Sequence, residues 1–388
     1  MRFPSTMLLL AAMFAAPATA SAYSATICFE YEVDFADRLG GDWWRSTADK
    51  TARGVRVQVI TQSGVVVFND YASASTGCTP TLSMGATPHL IRAFTIAKTQ
   101  HNNLVMVLDD DESHVSYSFT VASAFTPYAS GTYTFPIDNP SSGAAEDVVN
   151  VAAAAGYAVN KRNGGHHNQT FSLYNQICPS GTGSCMRQGG AKMYLSPYGK
   201  RRKFIIAHEV GHAVGAKRDE FTSPAVSASS AASACDEWTD TSHDLVSKEW
   251  QSTGFIEGYA HFYAATVFND PAEYDCEFFY YKSIDFDKNG FGESPRVRDC
   301  EVGGDYLGTY CDAPLTNRST EYDWLRFLWD LHTNEGETFT NITDILDRAN
   351  PRNWTEATVY DRLRDAAIVE GVSASAWDDI AAYNGVTR

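Results

Sequence analysis

Five residues, His208-Glu209-Val210-Gly211-His212, constrain this chain more than any others. They follow Phe204-Ile205-Ile206-Ala207 and precede Ala213-Val214-Gly215-Ala216, so three ionisable side chains interrupt an otherwise apolar run. Such a run reads as a buried helix, with Gly215 a candidate for its C-terminal cap. Residues four apart share a helix face, so His208 and His212 can aim both imidazoles at one point. Glu209 is offset by one position and lies beside that point. Polar side chains in this setting are costly unless they are hydrogen-bonded or hold an ion. The spacing is HExxH, in which the histidines bind zinc and the glutamate is the base for a metal-bound water. Composition alone would produce it about 0.01 times in a chain of this length.

A catalytic zinc site needs a third protein ligand and one open position. The HExxHxxGxxH spacing would put that ligand at position 218, but Arg218 is a cation and Asp219 is one residue off. Glu257 is the better candidate, in Phe255-Ile256-Glu257-Gly258-Tyr259-Ala260-His261-Phe262. A carboxylate among apolar neighbours must be paired or metal-bound. Gly258 and Ala260 are small, so this second helix can approach the first closely. The separation of 45 residues from His212 leaves room for a loop and a returning helix. Asp236, Glu237, Asp240, His243 and Asp244 are the alternatives.

Together His208, Glu209, His212, Glu257 and Ala260, the last two as an ExxA element, resemble the gluzincin group of zinc metallopeptidases, of which thermolysin is the familiar member. The resemblance covers about 60 to 75 of the 388 residues. The NExxSD form of the ligand helix is absent, so the likeness is to the site arrangement and not to the thermolysin family itself. It implies a zincin-like catalytic region and zinc held by His208, His212 and Glu257. It also implies a peptide or protein substrate hydrolysed with Glu209 as general base. A further donor would stabilise the oxyanion, and Tyr259, His261, Tyr263, Tyr322 and His332 are candidates. His261 and Tyr263 are carried forward with Glu209 as catalytic residues. By the same resemblance, Lys192–Ser196 occupies the place of an edge strand that pairs with substrate backbone.

The first residues bear on the compartment. Arg2 is the only charge in residues 1–22, Met7–Ala16 is apolar, and Ala18, Ala20 and Ala22 supply small residues for cleavage. This reads as a secretory signal peptide over 1–22, because ten apolar residues are too few to span a bilayer. All eight cysteines follow it, an even count that predicts four disulfides in an exported chain. Sequence locality predicts Cys28–Cys78, Cys178–Cys185, Cys235–Cys276 and Cys300–Cys311. No CxxC pair occurs, which argues against a cysteine zinc site. A net charge of −17 disfavours nucleic acid and anionic lipid as partners.

The texture predicts an α+β fold in two parts. Over 23–137, Val55, Val57 and Val59 alternate with polar residues, and Val65–Phe68, His89–Ala97, Leu104–Leu108 and Val115–Val121 read as further strands. This predicts a β-sandwich. Over 138–388 helices are expected at Ala144–Asn160, Phe204–Ala216, Thr253–Phe268, Glu321–Thr333, Ile342–Ala349 and Thr355–Val369, with a strand near Met193. That part is the zincin-like domain, and Asp138–Gly143 is the linker. The sandwich has three open roles: prodomain, docking module or attachment module.

Three lesser signals remain. Asp285, Asp287, Asn289 and Glu293 have the spacing of a Ca2+ loop around Gly290, although Arg296 stands where an EF-hand needs glutamate. Lys200-Arg201-Arg202-Lys203 is a basic run expected to lie partly ahead of the motif helix. Glu321–Trp329 is an aromatic helix that reads as core packing. Two other functions fit the same residues: a secreted binding or adhesion protein with a structural or vestigial zinc site, and a zinc hydrolase of non-peptide amides.

Overall fold

The computed structural model describes residues 22–31, 38–39, 42–43, 50–108, 118–137, 144–162, 165–179, 183–187, 192–196, 199, 202–215, 235, 243–272, 276–280, 286, 297–350 and 354–387. The signal-peptide reading of residues 1–22, except Ala22 itself, falls outside them, as do the Asp138–Gly143 linker and Asp285, Asp287, Asn289 and Glu293. Among the described residues no helix is long and apolar enough to cross a membrane.

The N-terminal part is built of strands: β1 (Ala22–Tyr31), β2 (Arg38–Leu39), β3 (Asp42–Trp43), β4 (Lys50–Thr51), β5 (Val55–Thr61), β6 (Val66–Tyr71), β7 (Leu82–Gly85), β8 (His89–Lys98), β9 (Leu104–Leu108), β10 (Ser118–Phe125) and β11 (Gly131–Pro136). Then follow α1 (Ala144–Arg162), β12 (Phe171–Tyr174), β13 (Cys185–Arg187), β14 (Lys192–Tyr194), α2 (Lys203–Gly215), β15 (Glu249–Trp250) and α3 (Gln251–Phe268). The rest is β16 (Glu277–Phe279), β17 (Val297–Asp299), α4 (Tyr306–Tyr310), β18 (Arg318–Ser319), α5 (Glu321–Thr333), α6 (Phe339–Ala349), α7 (Val359–Val369) and α8 (Ala374–Tyr383). The architecture is thus mixed α+β, β-rich first and helical afterwards.

Two sheets dominate the described residues. In the smaller, β1 pairs in parallel with β11 and antiparallel with β4 and β7. The larger has the order β13-β14-β12-β9-β8-β5-β6, with β10 also on β8. One edge of β8 is divided: β10 pairs over His89–Phe94 and β9 over Ile96–Lys98. The alternation read in Val55, Val57 and Val59 is real, and all three are fully buried.

The larger sheet does not stop at residue 137. β12 pairs in parallel with β9, from Phe171 opposite Val105 to Tyr174 opposite Leu108. Parallel neighbours need a long crossover, and here it includes α1, whose Ala-rich body from Val151 to Val159 is buried. The first part is β-rich as expected, but no closed sandwich over 23–137 is formed among the described residues, and the larger sheet draws strands from both sides of residue 137. The expected edge strand at Lys192–Ser196 is also displaced inward. β14 is flanked by β12 and by β13, with Cys185 opposite Tyr194 and Arg187 opposite Lys192. Three-residue strands such as β13, with no alternation to display, leave little trace in a sequence.

The helices α2 and α3 are buried nearly all round, as helices apolar on every face must be. Small residues let them touch. A Cβ on Gly211 would come within 3.0 Å of Ala260 Cα and 2.9 Å of Tyr263 Cβ. Ala260 thus faces α2 as anticipated, but Gly258 serves a different contact. A Cβ there would lie 2.5 Å from Trp324 Cβ and 2.8 Å from the Glu321 carbonyl oxygen, so Gly258 admits α5. The N-terminus of α3 lacks a cap from its own chain neighbour; Glu356 supplies one, accepting from Ser252 N at 3.0 Å and from Ser252 Oγ at 2.6 Å. Lys203 heads α2 and lies buried, 5.1 Å from the Phe204 and Phe268 ring centres, so the basic run reaches into the helix.

All eight cysteines are paired. Cys28–Cys78 and Cys178–Cys185 form as expected, but the other four pair as Cys235–Cys311 and Cys276–Cys300. The reason is the β16–β17 hairpin. Its antiparallel register sets Glu277 opposite Asp299, which brings the flanking Cys276 and Cys300 together, with Cys300 N donating to Cys276 O at 3.0 Å. Proximity in space overrode proximity in sequence.

Two outcomes follow. Non-reducing peptide mapping will recover linked peptides holding Cys235 with Cys311 and Cys276 with Cys300, and a Cys235–Cys276 link would contradict this fold. Gly258→Ala will lower stability by about 1–3 kcal/mol, the usual cost of overpacking. Thermal unfolding measures it, and an unchanged midpoint would show that α3 and α5 have room to part.

Candidate metal centre

The face of α2 that carries His208 and His212 looks toward Glu257 on α3. His208 Nε2 is 2.9 Å from His212 Nε2 and 3.2 Å from Glu257 Oε2, and His212 Nε2 is 3.0 Å from the same oxygen. Three donor atoms from two helices therefore meet at one place. A tetrahedral zinc ion with bonds of about 2.0–2.1 Å separates its ligands by about 3.3 Å, close to these spacings. These three side chains can hold a metal ion. Two imidazoles and a carboxylate are a donor set that suits zinc.

Glu209 is buried beside them, and its Oε2 has no hydrogen-bond partner among the described residues. A lone buried carboxylate oxygen is expensive unless something cationic lies near it. Burial pushes Glu209 up to about 8, with His212 opposing and Glu257 reinforcing the rise. Burial takes His208 down to about 3, helped by His261 and His212, so its imidazole is neutral and fit to donate a lone pair. For His212, burial works against the proton, but the charge and hydrogen bond of Glu257 outweigh it and raise the group. Glu257 is held well below the usual carboxylate range; burial opposes this, and His212 and His243 prevail.

A second group lies behind the first. His261 Nδ1 is 3.1 Å from His208 Nδ1, and His261 Nε2 is 2.8 Å from Glu321 Oε2. The other oxygen of Glu321 is 2.5 Å from His243 Nδ1. His243, Glu257 and Glu321 also converge closely enough to share a cation, which makes Glu257 common to two clusters. Glu321 is fully buried yet held below the usual range, because His243 and His261 overcome the cost of burial. Glu249, buried nearby, goes the other way: burial and then the charge of Glu321 push it well up.

The remaining expectations separate cleanly. His261 reaches the cluster, behind His208. Tyr263 does not: its hydroxyl is 3.2 Å from His167 Nε2 and its ring packs on Phe339. It follows Glu257 by six positions, which turns it to another face of α3. Tyr259 hydroxyl is 2.9 Å from Thr343 Oγ1, Tyr322 donates to the Asp299 carbonyl, and His332 Nδ1 sits 2.5 Å from Glu337 O. Asp244 caps its own loop, accepting from Val246 N at 3.0 Å. Asp236, Glu237, Asp240, Arg218 and Asp219 lie outside the described residues. Sequence reasoning missed Glu321 as a member of the site. It opens α5 after the capping Thr320, where an acid reads as a partner for the helix N-terminus.

The chain matches no known protein-family pattern, and no curated protein matches it significantly in sequence.

Metal binding must displace protons here. Ligating nitrogen must be unprotonated, and a cation beside Glu209 favours its ionised form. Burial raises Glu209 to about 8, so it carries a proton at neutral pH that a bound cation removes, and Glu257 raises His212 in the same direction. Zinc titration calorimetry at pH 7 will therefore depend on buffer ionisation enthalpy, and apparent affinity will fall as pH falls. Glu209→Gln will release fewer protons. An enthalpy identical in buffers of different ionisation enthalpy would contradict this.

Proposed function

We propose that this chain is an exported zinc-dependent metallopeptidase with a gluzincin-type site on a zincin-like fold. The observation that carries the reading is the convergence of His208, His212 and Glu257 at mutual distances of 2.9–3.2 Å beside Glu209, whose Oε2 has no partner among the described residues. Three protein donors, not four, leave a tetrahedral ion one position for water or substrate. Zinc bound there would acidify a water and polarise a carbonyl.

The residues of the chain divide the remaining work. His208 and His212 hold the ion from one helix and Glu257 from the next. Glu209 takes a proton at its buried oxygen and returns one to the leaving nitrogen. Burial raises it to about 8, and a cation beside it would favour the ionised form that accepts the proton. β13 pairs on one side with β14, at the end of the larger sheet, and its other side is where an extended peptide would add. Four disulfides support export, with residues 1–22 as the signal. Residues 23–137 and 138–388 are read as the two parts of the exported protein, joined through the larger sheet.

Purified residues 23–388 will cleave a mixed peptide pool, read by mass spectrometry. Glu209→Gln will keep zinc and the fold but lose about 10²–10⁴-fold in rate, the usual contribution of a general base. Full activity in that variant would sink the mechanism. A zinc-loaded chain that cleaves no peptide and excludes hydroxamates would instead favour a structural metal site.

A further inference from the structure

We propose that His261 and Glu321 are positioning residues that hold His208 as an Nε2 metal donor, with a histidine interposed between the ligand and the carboxylate that orients it. This rests on the zinc reading above. His208 Nε2 faces His212 and Glu257, so when it donates a lone pair the ring proton must sit on Nδ1. That Nδ1 is 3.1 Å from His261 Nδ1, and only one of two facing ring nitrogens can carry the shared proton. His208 therefore donates and His261 accepts. The His261 proton is thereby placed on Nε2, which donates to Glu321 Oε2 at 2.8 Å. With His208 Nε2 as the metal donor, the geometry fixes both tautomers.

Burial makes the relay obligatory. His261 is 1% exposed and Glu321 0%, so bulk water does not compete for either contact. Both are anchored through the backbone: His261 lies one turn beyond Glu257 on α3, and the Glu321 carbonyl is where a Cβ on Gly258 would collide. Ligating histidines commonly give their second N–H directly to a carboxylate or carbonyl. Here the orienting charge stands one imidazole further back, and its second oxygen is committed to the half-buried His243. One carboxylate thus sets the attitude of two histidines on different elements.

The test measures zinc affinity of the full exported chain by chelator competition, with cobalt absorption as a second readout. His261→Leu leaves the His208 N–H without a partner and is expected to weaken zinc about 10–100-fold and shift the cobalt bands. His261→Gln presents an oxygen to accept and an amide to donate, and is expected to recover most of the loss. Glu321→Gln is expected to weaken zinc as well, whereas Tyr259→Phe, on the same helix as His261 but with its hydroxyl directed to Thr343, stays within about twofold of the parent. The double variant His261→Leu/Glu321→Gln will lose less than the sum of the two single losses, because Glu321 reaches His208 through His261.

A folded His261→Leu protein that binds zinc within about twofold of the parent overturns the relay, as do additive losses in the double variant. If His261→Leu does not fold, Glu321→Gln against the parent decides, and equal affinities overturn it. A parent chain that binds no zinc is a separate result: it removes the metallopeptidase reading and the relay with it.

Discussion

The distance between α2 and α3 governs the whole site. His208 and His212 belong to one helix and Glu257 to the other, so only the interhelical spacing decides whether three donors meet or miss. That spacing is set where Gly211 faces Ala260, at a contact too tight for any larger residue on α2. A helix pair separated by ordinary side chains would leave the donors several ångströms apart. The pair also carries almost no polar surface to trade, since both helices are buried on nearly every face. The ionisable side chains are therefore placed by apolar packing, and their charges must be met locally because water is excluded.

Local compensation explains the second group. Burying Glu257, Glu321 and Glu209 together would be prohibitive without cations or hydrogen-bond donors. Histidines answer this at Glu257 and Glu321, and a divalent ion would answer it at Glu209 Oε2, which has no partner among the described residues. Cys235 lies upstream of His243 and Cys311 upstream of Glu321, so the Cys235–Cys311 bridge joins the two segments whose side chains pair across the centre. The bridge shortens the loop that must close to make that pair, which lowers its entropic cost.

The cluster that can hold a metal was legible in the sequence because helical periodicity fixes His208 and His212 relative to each other and because Glu257 stood out as a charge in an apolar run. The helices were legible for the same reason; α5 runs from Glu321 to Thr333 as its pattern indicates. What failed depended on contacts between distant segments. The pairing of Cys276 with Cys300 follows from a hairpin whose strands carry no strong pattern. Glu321 looked like an ordinary helix-capping acid, and only the approach of α5 at Gly258 turns it into part of the centre. Tyr263 was a reasonable candidate by residue type, but the 100° advance per helical residue points it at His167 and Phe339 instead.

The register of β9 with β12 bears on how such a protein can mature. If the N-terminal strands were an inhibitory segment to be discarded after cutting near residues 138–143, their departure would strip β12 of its neighbour along Phe171–Tyr174. Two fragments would each be left with a raw sheet edge, the kind of surface that recruits other chains. A nick in that segment is therefore compatible with a working molecule only as a two-piece protein whose halves stay zipped together. Shedding the first half would dismantle the scaffold beneath the second.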